Sequence, residues 1–183
     1  MRTVAGIDYS MTSPAVCIHV GDEWSHKNCT IHFLASRRAH MINTPRLKAT
    51  EYHNDFTINE PRFDWLSRWA CDIVRAANPS QIVIEGYAMG AKGQVFHIAE
   101  NTGLLKHSLW KAGFKFDTPA PTAVKKFATG KGNAKKEDLE KAFIAETGWD
   151  IRAELNQSAK SWNPSSDIID AYYLAKHAFH VAS

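Results

Sequence analysis

The sequence predicts an α/β fold: a five-stranded mixed sheet, three antiparallel strands followed by two further strands, flanked by helices. Two observations carry that reading. The first third of the chain is rich in Val, Ile, Thr and aromatic residues, and beyond residue 60 stretches of helical period alternate with short apolar runs. A third observation sets the scale. The chain has 183 residues, of which 44% are hydrophobic and 22% charged, enough for a single domain over residues 1–183 with a sizeable core.

The elements follow in order. Residues 3–9 (TVAGIDY), 14–20 (PAVCIHV) and 24–34 read as strands, with Gly21 and Asp22 between the last two, so three adjacent antiparallel strands are expected. Residues 36–60 are polar, carry Arg37, Arg38, Arg46 and Lys48, and show no clean period, which predicts an irregular excursion over the surface. Pro61 suits a first helical turn, Phe63, Leu66, Ala70, Val74 and Ala77 keep helical spacing, and Asn78-Pro79 stops the run. Residues 81–85 (QIVIE) form the fourth strand. After a glycine-bearing loop, Val95, Ile98, Thr102, Leu105 and Leu109 make a second helical stripe closed by Gly113, and 114–118 is the fifth strand. A short helix is expected over 122–129 and a loop over 130–133, with Asn133 as N-cap of a helix carrying Leu139 and Phe143. Residues 148–164 fit neither period. The chain closes with a helix over 166–181, capped by Ser165 or Ser166.

Composition excludes several classes. With 10 glycines, 7 prolines and charges of mixed sign, the chain is neither collagen-like nor disordered, and no apolar run approaches the roughly 18 residues that cross a bilayer. Asp8 stands where a secretory signal would still be apolar, so a cytoplasmic protein without a membrane partner is expected. Cys17, Cys29 and Cys71 are odd in number and widely spaced, which predicts reduced core thiols. The net charge of +3 says little by itself, but residues 121–136 hold five lysines, Lys125, Lys126, Lys131, Lys135 and Lys136, and no acid. Such a run is ordinarily a solvated face. The acids elsewhere give it another meaning.

Asp8 sits near the end of the first strand, Glu85 ends the fourth, and Asp167 and Asp170 lie on the opening turns of the last helix. Taken singly, an Asp at a strand end is a turn former and Asp167 a helix N-terminal acid. Glu85 closes an apolar run, where an ionised carboxylate needs a partner or a metal. If the first and fourth strands are neighbours, Asp8 and Glu85 emerge side by side, and the i, i+3 spacing puts Asp167 and Asp170 on one helical face. Carboxylates gathered in this way repel unless cations sit among them, and hard oxygen ligands favour Mg²⁺ or Mn²⁺. Two such ions activate a water and stabilise the leaving oxygen of a phosphodiester.

GIDYSMTSPAVCI, IVIEGYAMGAKGQ, TAVKKFATGKGNAKKEDL and DIIDAYYLA, in that order, resemble the RuvC family of Holliday junction resolvases, within the RNase H-like superfamily. The resemblance spans nearly the whole chain and is weakest over 22–60 and 148–163. It implies an RNase H-like fold and a homodimeric, Mg²⁺-dependent endonuclease that resolves four-way DNA junctions by paired nicks, with two metal ions per active site and Mn²⁺ as substitute. Asp8, Glu85, Asp167 and Asp170 match the family's metal-binding acids. Lys125 and Lys136 match its two basic residues near the active site, although Lys126 and Lys135 adjoin them and each match can slip by one; with Lys131 these form the expected DNA-binding lysines. Tyr87 falls near the aromatic that the family inserts at the junction centre, with Phe96 as a competitor. The family often has Pro-Gly after its first Asp; Tyr9-Ser10 stands here and brings a hydroxyl close to the acids.

Rival readings remain open. GIDYSMTS also resembles the first phosphate loop of actin-like ATPases, which need a second such domain and have no use for DIID. A non-catalytic nucleic-acid module explains the lysines and not the acids. An RNase H-like nuclease acting on flaps, forks or RNA–DNA hybrids uses the same metal chemistry, and no residues committed to 2′-hydroxyl contacts separate it.

Overall fold

The structure is a computed structural model describing residues 1–87, 95–158 and 160–181. Its strands are β1 (Thr3–Asp8), β2 (Ala15–Val20), β3 (Cys29–Ala35), β4 (Leu47–Glu51) and β5 (Gln81–Ile84). They form one five-stranded sheet in the order β4-β3-β2-β1-β5. β1 pairs antiparallel with β2 and β2 with β3, as the β-rich first third predicts. The outer strands are parallel to their neighbours, β4 to β3 and β5 to β1.

Two strand expectations are corrected. β4 lies inside the 36–60 stretch that shows no period: LKATE is an edge strand buried fully only at Leu47, and its backbone ladder to β3 needs no alternation of side chains. Residues 114–118 are not a strand but make one parallel bridge, Val83 to Asp117. Asp117 donates to Ile82 O and accepts from Ile84 N, both at 2.9 Å. Pro119 and Pro121 follow at once, and a residue without an N–H cannot extend a ladder.

The helices are α1 (Asn59–Ala77), α2 (Val95–Lys111), α3 (Pro121–Thr129), α4 (Lys136–Thr147), the single turn α5 (Ile151–Glu154) and α6 (Ser165–His180). Asn78, in the left-handed conformation, ends α1 as expected, and Pro121 opens α3 at its first position. Two caps differ from expectation. Lys135, not Asn133, precedes α4, its N–H held at 2.9 Å by the Asp138 carboxylate. Pro164 precedes α6, so Ser165 and Ser166 lie within the first turn and are free for other partners. Among the described residues no helix is long and apolar enough to cross a membrane. Cys17, Cys29 and Cys71 are free and buried.

Period-two alternation along β1 splits the core. Ala5 and Ile7 face a layer shared with Leu66, Ala70 and Val74 of α1 and Leu105 and Leu109 of α2. Val4 faces the opposite layer, with Phe143 of α4 and Ile168, Tyr172 and Tyr173 of α6. Gly6 and Asp8 share that second face. α6 crosses β1 so closely that a Cβ on Gly6 would fall 2.0 Å from Ala175 N and 2.4 Å from Ala171 O. Only glycine permits this approach. Gly6→Ala is therefore expected to push α6 off the sheet and lower Tm by roughly 5 °C or more; a thermal melt indistinguishable from wild type would show that the helix does not depend on this contact.

Candidate active site

The site forms where β1 and β5 end beneath α6. Their parallel register runs to Ile7 opposite Ile84, and Glu85 N donates to Ile7 O at 3.1 Å, so Asp8 and Glu85 are the next residues out on adjacent strands. Alternation puts Asp8 on the α6 face, two residues from the Gly6 contact. The close seat of α6 brings its first turns to the same place, with Asp167 and Asp170 one turn apart. Asp8 and Asp167 retain only 7% and 5% of their exposure.

The electrostatics follow from the convergence. Burial, then the charges of Asp167, Glu85 and Asp170, raise the Asp8 pKa well above the usual carboxylate range. Burial, then Glu85 and Asp167, push Asp170 up to about 7. Asp167 is pushed by burial to about 6, with the Ser13 hydroxyl and Lys136 pulling the other way. Burial also raises Glu85, and Lys125 opposes it most. Four acids, two buried and two half-buried, that all resist ionisation through burial and, for Asp8, Glu85 and Asp170, through their acidic neighbours, form a strong demand for positive charge.

Two lysines meet part of that demand. Lys125 on α3 lowers Glu85 and Asp170, and Lys136 at the start of α4 lowers all four acids. α3 is carried to the strand end by the 117–121 segment, whose Pro119 O accepts from Gly86 N at 3.0 Å. Lys136 Nζ reaches Ser166 Oγ at 3.3 Å and Asn163 Oδ1 at 3.5 Å. Of the adjacent pairs, Lys125 and Lys136 are the members whose charge acts on the acids. Lys126, Lys131 and Lys135 are exposed, and none makes an ion pair among the described residues.

A polar chain that sequence reading missed holds Asp167. Ser13 Oγ donates to its carboxylate, and Asn163 Nδ2 donates to Ser13 Oγ at 2.7 Å. Ser166 Oγ lies 3.1 Å from Asn163 Oδ1. Ser10, the hydroxyl expected beside the acids, lies on the same cavity wall as Asp8 and Glu85 and accepts from Ser13 N at 3.0 Å. The one signal for Ser13 was a hydroxyl-rich turn after Asp8; Asn163 stands in the stretch that fitted neither period.

A cavity of about 320 Å³ opens beside Asp8 and Glu85, with Tyr87, Val95 and Thr102 also on its wall. Tyr87 is 43% exposed and carries Lys106 Nζ 4.6 Å from its ring centroid. Phe96, 79% exposed on α2, is not among the residues lining this cavity. The rest of the glycine-bearing loop, 88–94, lies outside the described residues.

Among the described residues no three His, Cys, Asp or Glu side chains are arranged to hold one metal ion by themselves. The donor set nevertheless fits Mg²⁺, which takes one or two carboxylates and completes its shell with waters and substrate phosphates. It consists of hard oxygens, in charge excess over its two lysines. His177 and His180, far down α6, contribute no donor: His177 packs against Phe127 with ring centroids 5.4 Å apart.

No protein-family model and no curated protein matches the sequence. Solved structures match the fold. Thermus thermophilus RuvC is 17% identical over 97% of this chain and 94% of that one, with a TM-score of 0.63. The same enzyme in complex with a Holliday junction substrate is 18% identical over 100% and 96%, again at 0.63. The yeast mitochondrial Holliday junction resolvase is 14% identical over 96% and 77%, at 0.54. The expected RuvC-like, RNase H-type fold is thus the observed one.

The raised carboxylate pKa values have a consequence for the metal-free protein. An acid whose pKa is higher folded than unfolded binds more protons in the native state, so stability falls as pH rises from about 4 through the folded value. In EDTA the wild-type Tm is expected to drop between pH 5 and pH 8, Asp170→Asn to drop less, and Mg²⁺ to restore the wild type at pH 8. Parallel profiles for the two proteins would contradict the raised pKa of Asp170.

Proposed function

We propose that this protein is a divalent-metal-dependent endonuclease that resolves four-way DNA junctions, as a homodimer of one nuclease domain per chain. The observation that carries the proposal is the convergence of Asp8, Glu85, Asp167 and Asp170, buried or half-buried and within reach of one another's charge, with Lys125 and Lys136 against them. The fold shared with RuvC adds support.

Asp8 and Glu85 from the sheet and Asp167 and Asp170 from α6 would hold the metal. When bound there, a pair of Mg²⁺ ions supplies Lewis acidity at the phosphodiester and lowers the pKa of an attacking water. The chain's own groups do the rest. Lys125 and Lys136 place ammonium charge beside the scissile phosphate, which positions it without reading sequence. Ser13 and Asn163 fix the rotamer of Asp167, as partners behind a ligating carboxylate do. Tyr87 offers an exposed ring at the cavity mouth for an unstacked base. Lys126, Lys131 and Lys135 line the approach of α3 and α4 as phosphate contacts. Two opposed strands need two such sites, which a two-fold dimer supplies.

The test is strand cleavage on matched four-way, flap, fork, duplex and RNA–DNA substrates in Mg²⁺. Paired symmetric nicks on the junction are expected. Asp8→Asn is expected to abolish them and keep binding, because removing negative charge does not weaken attraction to phosphate. Lys136→Ala is expected to slow cutting roughly 10²-fold. Cutting confined to flaps, forks or hybrids would keep the metal site and replace the substrate; full activity in Asp8→Asn would remove the site itself.

A further inference from the structure

The 36–46 connection between β3 and β4 supplies no acid to the cluster, yet it carries two exposed arginines, Arg37 and Arg38. A second cavity, of about 190 Å³, lies between this connection and the active site. Ser13 and Asn163, the pair that holds Asp167, form one wall; Thr12, Ser36, Arg37 and Ser161 form others. Among the described residues that line it there is no carboxylate. A cavity without carboxylates thus adjoins the one that holds Asp8 and Glu85.

The hydrogen-bond account shows which donors are uncommitted. Asn163 Oδ1 faces Lys136 and Ser166, and Nδ2 gives one N–H to Ser13, which leaves its second N–H over. The Ser161 hydroxyl is spent on Asn163 O at 3.1 Å. The side chains of Thr12, Ser36 and Arg37 make no hydrogen bond or ion pair among the described residues. A guanidinium, two hydroxyls and an amide N–H converging without an acid suit an anion with several oxygens, and the planar fork of arginine matches phosphate in particular.

We propose that this cavity is a phosphodiester subsite, seating a phosphate of the DNA strand next to the one at the carboxylates, with Arg37 as its counter-charge. The inference rests on the nuclease reading and deepens it. Thr12 lines both this cavity and the one beside Asp8 and Glu85, so a strand held in one runs into the other. Such a contact fixes the register of the scissile bond over Asp167 and gives the arginine-bearing connection a role.

The test is junction binding by the full chain in Ca²⁺ across a salt series, together with Tm in inorganic phosphate against chloride at equal ionic strength. Arg37→Ala is expected to weaken binding roughly three- to tenfold and to reduce the slope of log K against log salt by about one. Arg37→Lys should recover the slope in part, and Arg38→Ala, whose side chain does not line the cavity, should leave it unchanged. Phosphate should raise the Tm of wild type more than that of Arg37→Ala. Equal slopes for wild type and Arg37→Ala, or equal losses in the Arg37 and Arg38 variants, would overturn the subsite while junction cutting stands. A wild type that binds no DNA but is stabilised by phosphate through Arg37 would overturn both the strand assignment and the nuclease reading.

Discussion

One close contact organises the molecule: the backbone of α6 resting on Gly6 of β1. A side chain at that position would collide with Ala171 and Ala175, so the helix and the central strand meet backbone to backbone. Asp8 is two residues along the strand and on the same face, while Asp170 and Asp167 lie immediately before Ala171 and one turn earlier on the helix. Packing at an apolar point therefore sets the spacing of the charged groups beside it. The parallel pairing of β1 and β5 adds Glu85 by the same logic, through register and not through any bond of its own.

That arrangement works against stability. Burial raises the pKa of every member of the cluster, repulsion adds to it for Asp8, Glu85 and Asp170, and among the described residues the cations acting on them are two lysines on the short helices α3 and α4. The fold tolerates the strain because large apolar layers on both faces of the sheet anchor the elements that carry it. A site that is unfavourable when empty of cations gains most from binding them, which is the physical sense of placing acids where nothing else satisfies them. The neighbouring chamber reverses the sign, with a guanidinium and uncommitted donors in place of carboxylates. Together the two set cavities of opposite charge demand side by side.

Much of this was legible before the structure. Short β-branched runs placed β1, β2, β3 and β5, and helical spacing placed α1, α2 and α6, because those elements bury continuous faces whose period is written in their residues. β4 was hidden because an edge strand is held by backbone bonds to β3, which leave no pattern in LKATE. The 114–118 segment looked like a strand and is cut short by the prolines behind it. The four acids rest on strand ends and a helix start, where position in the element carries the information, whereas Lys125 and Lys136 were legible only through the family resemblance. Ser13 and Asn163 could not be paired from sequence: 150 positions separate them, and only the folded chain brings a hydroxyl and an amide together behind Asp167.

The central claim is that the contact at Gly6 gathers Asp8, Glu85, Asp167 and Asp170 into one divalent-metal centre. Anomalous diffraction from crystals of the protein grown with Mn²⁺ and a four-way junction tests it most directly. The account predicts two manganese peaks roughly 3.5–4 Å apart, ligated by Asp8 together with acids from both β5 and α6. Manganese bound elsewhere, or a cluster left without it in crystals that hold DNA, would contradict the account.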